Sequence, residues 1–77
     1  MEVVEETLRL LQRQAELEAA MRKPGGIRIT EERELQALRG RLARFPQAME
    51  AVMQASQALR RPLADMTVHD VKSWARS

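Results

Sequence analysis

The chain has 77 residues, a net charge of only +2 and a hydrophobic content of 44%, in which Phe45 and Trp74 are the only aromatic residues. A chain of this length forms at most one small domain, so we expect a single domain over residues 1–77. It contains no cysteine, which excludes disulfides, thiolate zinc sites and cysteine nucleophiles. No stretch approaches the roughly 20 apolar residues that cross a membrane. Acidic rather than cationic residues follow Met1, unlike a signal peptide, and we expect a cytoplasmic protein.

The composition favours helices over strands. Leu, Ala, Glu, Arg and Gln are plentiful, whereas aromatic and β-branched residues are scarce. We therefore predict an all-α fold. A chain this small buries little core by itself and commonly needs a partner or a second copy.

The first predicted helix covers residues 2–23. At steps of about 100° per residue, its apolar residues share one arc of roughly 200°: Val3, Val4, Thr7, Leu8, Leu10, Leu11, Ala15, Leu17 and Met21. An arc wider than the stripe of a one-sided helix indicates contact with more than one neighbour. Pro24, Gly25 and Gly26 then break the helix.

The second predicted helix covers residues 31–60, with Thr30 as its cap and Glu31 and Glu32 in its first turn. It carries an apolar seam whose members are spaced 3, 4, 3, 4, 3, 4, 3, as in a heptad repeat: Leu35, Leu38, Leu42, Phe45, Met49, Val52, Ser56 and Leu59. We expect this helix to pair antiparallel with the first one as a helical hairpin.

Pro46 lies in the middle of that seam and leaves two alternatives open. A kinked but continuous helix is favoured by the unbroken phase of the seam, because proline inside a helix bends it. A break is the alternative, with Pro46 at the first position of a new helix. A continuous helix of about 45 Å is longer than a compact globule of this size. It would therefore require completion of a helical bundle by dimerisation.

The segment after Pro46 is nearly uncharged. From Gln47 to Leu59 its only charge is Glu50, and beside the seam it carries a second stripe of small residues, Ala48, Ala51, Ala55 and Ala58. A helix with large residues on one flank and small ones on another packs on both sides. One chain of this length offers little protein to cover both, so we predict an oligomer interface here.

A short helix over residues 67–75 ends the chain. Thr67 and Asp70 form a capping pattern, and Met66 and Val71 stand at the positions of a hydrophobic staple. Trp74 near the end of the chain either docks this helix on the core or serves as an anchor for a partner.

No residue pattern indicates chemistry. His69 is the only histidine, and its neighbour Asp70 points about 100° away around the helix. No pair of carboxylates falls on an apolar face where one pKa would be raised for acid–base catalysis. We predict that the protein is not an enzyme and that it has no catalytic residues, cofactor, metal site or small-molecule substrate.

The predicted function is protein–protein interaction through apolar helix faces, as a homodimeric adaptor, chaperone-like or regulatory subunit. Its partner is itself, an unidentified protein, or both, and no membrane is involved. The predicted interface residues are Leu10, Leu17, Ala48, Met49, Ala51, Val52, Met53, Ala55, Leu59 and Trp74. The alternative is a nucleic-acid-binding regulator that contacts phosphates through two basic patches: Arg39, Arg41 and Arg44, and Arg60 and Arg61.

Overall fold

The computed structural model describes residues 2–76, apart from the side chain of Glu2. This part of the chain contains four α-helices and no strand. They are α1 (Glu2–Met21), α2 (Ile29–Leu42), α3 (Pro46–Leu59) and α4 (Val68–Arg76), with a short 3-10 turn at Leu63–Asp65 before α4. The predicted all-α class is confirmed.

The first loop follows the predicted breaker. Helix α1 ends at Met21, and Gly25 and Gly26 have φ angles of +94° and +63°. Both lie in the left-handed region that glycine adopts at low cost. The expected end of the first helix is therefore correct to within two residues.

Helix α2 begins earlier than predicted. Its N-cap is Arg28 rather than Thr30, and Ile29 is the first helical residue. The backbone N–H of Arg28 donates to a carboxylate oxygen of Glu31 at 3.1 Å. Thr30 lies inside the first turn and caps nothing, because a carboxylate reaching back satisfies the helix start instead. Glu31 and Glu32 do occupy the first turn, as predicted.

The predicted helix over residues 31–60 is broken rather than kinked. Helix α2 ends at Leu42, and α3 starts with Pro46 in its first turn. Phe45 has φ −128° and ψ 57°, outside the helical region that proline disfavours for the residue before it. Pro46 lacks an N–H, which a first-turn residue does not need. With 14 residues each, α2 and α3 are both shorter than a compact globule of this size, so this conformation does not require a dimer.

Helix α1 lies at the centre of the packing. It contacts α2, α3, the 3-10 turn and α4, whereas α2 makes its extensive contacts with α1 alone. The wide apolar arc of α1 thus serves several neighbours, as its width indicated. The buried apolar core consists of Leu8, Leu10, Leu11, Leu17, Leu35, Leu38, Leu42, Val52, Ala55, Met66 and Val71. This packing is consistent with a helical bundle.

The molecule is elongated and thin. Its extents are 43 × 24 × 14 Å and its radius of gyration is 13.2 Å, against about 11.5 Å for a compact chain of this length. Two helices packed 8–10 Å apart span about 13–15 Å between their outer Cα atoms. The shortest extent therefore leaves room for two helix layers at most, so the helices keep an outer face uncovered.

Candidate interaction surface

The residues of the predicted interface lie at very different depths. Leu10, Leu17, Val52 and Ala55 are buried in the core of the chain itself. Ala48, Met49, Ala51 and Trp74 are half-buried, and Met49 and Trp74 pack against the core. Only Met53 and Leu59 are exposed, at 43% and 41%. In this conformation the surface that a partner can reach is therefore a small part of the predicted set.

Five large apolar side chains are exposed among the described residues, and we call them the exposed apolar set: Val3, Met21, Ile29, Met53 and Leu59. Ile29 is the most exposed of them, at 69%. Met53 and Leu59 belong to α3, while the other three lie at or near helix ends. Val3, Met21 and Ile29 were not in the predicted interface, since the spacing of residues along a helix does not indicate which helix ends are left uncovered.

A cleft with a mixed polar and apolar lining is found where the α2–α3 junction meets the start of α1. Val3, Phe45, Pro46 and Ala48 line it together with Arg44 and Gln47, and its volume is about 420 Å³. Phe45, Pro46 and Ala48 stand at the junction, and Val3 belongs to the first turn of α1. Nothing in the sequence placed Val3 and Phe45 in the same cleft, because the packing of α1 against its neighbours brings them to it.

A second, charged cleft of about 340 Å³ lies between α1 and α2. It brings Glu6, Arg9 and Arg13 of α1 together with Arg41 of α2, over the buried side chains Leu10 and Leu38. The guanidinium of Arg13 donates from Nε to Glu34 at 2.6 Å and from Nη2 at 3.0 Å, and it also donates from Nη1 to Glu16 at 3.0 Å.

This ion pair joins the two helices at a half-exposed position. The hydrogen bonds to Glu34 and Glu16 raise the pKa of Arg13, and the hydrogen bond from Arg13 lowers the pKa of Glu34. Because water screens an ion pair at such a position, we regard it as a contact that sets the register of α1 and α2 rather than as a major source of stability.

The arginines of the two predicted basic patches differ in their surroundings. Arg39 and Arg41 lie about 160° apart around α2 at steps of 100°, so they face opposite flanks, and Arg41 lines the charged cleft. Arg61 donates from Nη1 to both carboxylate oxygens of Asp70 at 2.8 Å. Arg39, Arg44 and Arg60 are exposed and form no ion pair with any other residue between positions 2 and 76.

The start of α4 matches the capping prediction. The backbone N–H of Asp70 donates to Thr67 Oγ1 at 3.1 Å, and the backbone N–H of Thr67 donates to Asp70 Oδ2 at 3.0 Å. The hydrogen bond from the Thr67 backbone, and then the one from Arg61, lower the pKa of Asp70. Met66 and Val71, the residues of the predicted staple, are both buried. Trp74 is half-buried against the core, in agreement with the docking alternative.

Sequence reasoning missed one anchor on α1. Gln12 Nε2 donates to the carbonyl oxygens of Leu63 at 2.8 Å and Met66 at 3.0 Å. A glutamine on the apparent polar side of α1 thus holds the 3-10 turn that precedes α4. No local signal could have revealed this contact, because its partners lie more than fifty residues further along the chain.

His69 lies exposed on α4, with Ser73 Oγ at 3.4 Å from its Nε2 atom. Within residues 2–76, no group of three His, Asp or Glu side chains is arranged so that it could hold a metal ion. None of the described helices combines the length and apolar character needed to cross a membrane.

Comparison with known proteins gives no relative from which a function could be transferred: no family model matches the chain, and no similar curated protein or solved structure was found.

Proposed function

We propose that the protein is a small helical interaction module, an adaptor or regulatory subunit that associates through apolar side chains and carries out no bond chemistry. In the simplest form its partner is a second copy of itself. The observation that carries this proposal is the exposed apolar set, which remains uncovered on a molecule only 14 Å thick. In a chain of this size, covering such residues against a partner removes apolar surface from water and stabilises the folded state.

Helix α3 is the main element of the proposed surface. Its side chains carry one charge, Glu50, and Met53 and Leu59 are exposed on it. Charged residues are depleted at the centres of interfaces and methionine is enriched there. The half-buried Ala48 and Ala51 lie on the side of α3 that carries Leu59, about 140–160° around the helix from Met53, and their small side chains allow close approach of another helix there.

We further propose that α1 and α2 form the antiparallel hairpin on which this surface is built. Two pairs of neighbours support that arrangement. Leu10 of α1 and Leu38 of α2 line the charged cleft together, and Arg13 binds Glu34 further along α1. The residue number rises along α1 as it falls along α2, which is the relation expected of antiparallel helices.

Sedimentation of matched variants tests the proposal. We expect the wild-type chain to dimerise at micromolar concentration and Met53→Glu to weaken the dimer at least tenfold, because a charge would be buried at the interface. Ala37→Glu is the control, since it adds the same charge at an exposed position of α2, and we expect it to leave association unchanged.

A wild-type chain that stays monomeric at high micromolar concentration would contradict the homodimer. Equal behaviour of the Met53→Glu and Ala37→Glu variants would contradict the α3 surface.

A nucleic-acid regulator is the second candidate, and one observation favours it: Arg39, Arg44 and Arg60 are exposed without ion pairs to other described residues. Phosphate contacts release counterions, so retention of DNA or RNA by the protein should fall steeply between about 50 and 200 mM salt. Absence of retention at the lower salt concentration would rule out this candidate.

A further inference from the structure

The junction between α2 and α3 is short, and the backbone N–H groups of its residues donate to carbonyl oxygens in the last turn of α2. It consists of residues 43–45, and neither the end of α2 nor the start of α3 has a side-chain cap. Ala43 is already in helical conformation, with φ −61° and ψ −19°, whereas Phe45, with φ −128° and ψ 57°, departs from it. A change in the backbone angles of few residues would therefore redirect α3 relative to α2.

The chain packs as two parts on either side of this junction. Helix α2 makes its extensive contacts with α1 alone. Helix α3, the 3-10 turn and α4 all pack on α1, and α3 also packs on α4. Within the second part Arg61 binds Asp70, and Gln12 of α1 holds the 3-10 turn. Residues 46–76 thus pack on α1 as a unit, and the junction alone decides which copy of α1 they reach.

The apolar seam continues across the break without a change of phase. Leu35, Leu38 and Leu42 precede the junction, Phe45 lies in it, and Met49 and Val52 follow it with the same alternating spacing. If α2 and α3 joined into one helix, their buried stripes would lie on one continuous face. The helix from Ile29 to Leu59 would be about 46 Å long.

We propose that residues 43–45 are a hinge through which two copies of the chain exchange residues 46–76, each copy packing this segment on α1 of the other. The contacts of the segment with α1 are the same in the closed monomer and in the exchanged dimer, so the two forms differ mainly at the hinge, which makes this a low-cost route to a dimer. Val52 and Ala55, buried within one chain in the closed form, would then contact the second chain. This inference goes beyond the proposed function, because the exchanged dimer forms through contacts that are buried in the closed chain and not through the exposed side chains of α3.

Pro46 sets the balance between the two forms. Its ring would clash with the carbonyl of Leu42 in a continuous helix, and it lacks the N–H that would complete the hydrogen bond there. Proline therefore favours the closed monomer, and its removal favours the extended hinge. Since each dimer contains two hinges, one substitution changes the free energy of dimerisation twice over.

The test compares the wild-type chain with Pro46→Ala by size-exclusion chromatography with light scattering and by small-angle X-ray scattering. We expect Pro46→Ala to lower the dimer dissociation constant at least about a hundredfold and to give a dimer more extended than the closed chain. A Pro46→Ala protein that remains monomeric, with the scattering curve of the closed chain, would overturn the proposal.

Two further variants separate exchange from association through the exposed surface. Inserting two glycines after Arg44 lengthens the hinge, and we expect it to abolish the exchanged dimer. Adding Met53→Glu to Pro46→Ala should leave that dimer intact, because Met53 lies outside the contacts that are exchanged. Loss of the dimer in this double variant would overturn exchange in favour of surface association.

The oligomeric state of the wild-type chain tests the proposed homodimer independently of the hinge. A monomeric wild-type chain beside a dimeric Pro46→Ala chain would contradict the proposed homodimer and support the hinge. If Pro46→Ala does not fold by circular dichroism, the wild-type chain refolded from urea at high concentration provides the test. If the refolded wild-type chain forms a dimer fraction and the chain with the glycine insertion does not, exchange is supported. Equal dimer fractions in these two chains would overturn it.

Discussion

Helices α2 and α3 have the same length, 14 residues, and differ in almost everything else. Six side chains of α2 are charged, against one of α3. Helix α2 buries Leu35, Leu38 and Leu42 on one stripe against α1, whereas α3 packs against both α1 and α4 and still exposes Met53 and Leu59. Of these two helices of equal length, the one with fewer charged side chains therefore packs against more neighbours.

The largest expected effect comes from the stripe of α2. Leu35 is 2% exposed, and Leu35→Ala should lower the free energy of unfolding by about 2–5 kcal/mol, because it removes buried methyl groups and leaves a cavity. Urea denaturation followed by circular dichroism measures this loss. Gln36→Ala, at an exposed position of the same helix, should change the stability by less than about 0.5 kcal/mol. Equal losses in the two variants would contradict the one-sided packing of α2.

A smaller effect should distinguish the two helix starts. Thr67 caps α4, which packs on α3, while Thr30 of α2 caps nothing. We expect Thr67→Ala to lower the free energy of unfolding by about 1 kcal/mol and Thr30→Ala to leave it nearly unchanged. Urea midpoints of both variants check this pair. If Thr30→Ala lowers the free energy of unfolding as much as Thr67→Ala, Thr30 would have to be the cap of α2 after all.

The smallest expected effect is the loss of stability at acidic pH. Hydrogen bonds lower the pKa of Glu34 on α2 and of Asp70 on α4, whose ordinary values are 4.5 and 3.8. A carboxyl group with a lowered folded pKa stabilises the fold above its unfolded pKa, and this contribution is lost as the pH falls through the folded pKa.

The contribution of these two groups to the free energy of unfolding should therefore be constant above about pH 5. It should decrease as the pH falls below their ordinary pKa values. Urea midpoints at pH 7, 4 and 3 would show the decline, and Glu34→Gln and Asp70→Asn should each reduce it. Because both sites are reached by water, the decline should be modest. An unchanged pH dependence in both variants would contradict the assignment of the decline to Glu34 and Asp70.

Local residue patterns predicted the helices better than they predicted the surface. Pro24, Gly25 and Gly26, Pro46 and the Thr67–Asp70 cap act on the nearest few residues, and the structure breaks or starts a helix at each. The choice between a kink and a break at Pro46 was left open, because the phase of the seam is the same in both. The start of α2 was wrong by two residues, since a carboxylate reaching back to Arg28 replaces the cap expected at Thr30.

The candidate surface could be predicted only in outline. Periodicity indicates that Leu17, Val52 and Ala55 need cover, but it does not distinguish cover by the same chain from cover by another. The structure places all three in the core of the chain itself. It also separates Arg39 from Arg41, although they are adjacent in the predicted patch, because two residues along a helix are about 200° apart in rotation.

The sequence by itself determined that this protein is helical, that its first helix ends before Pro24, and that α1 and the segment after Pro46 carry more apolar residues than one face of a helix requires. These properties follow from backbone sterics and from side-chain spacing, which act over a few residues. Only the tertiary structure decided that α1 is the central helix, that Gln12 holds the turn before α4, and that Val3, Met21, Ile29, Met53 and Leu59 stay exposed. Burial depends on which distant segments meet, and that information is not contained in the spacing of residues along one helix.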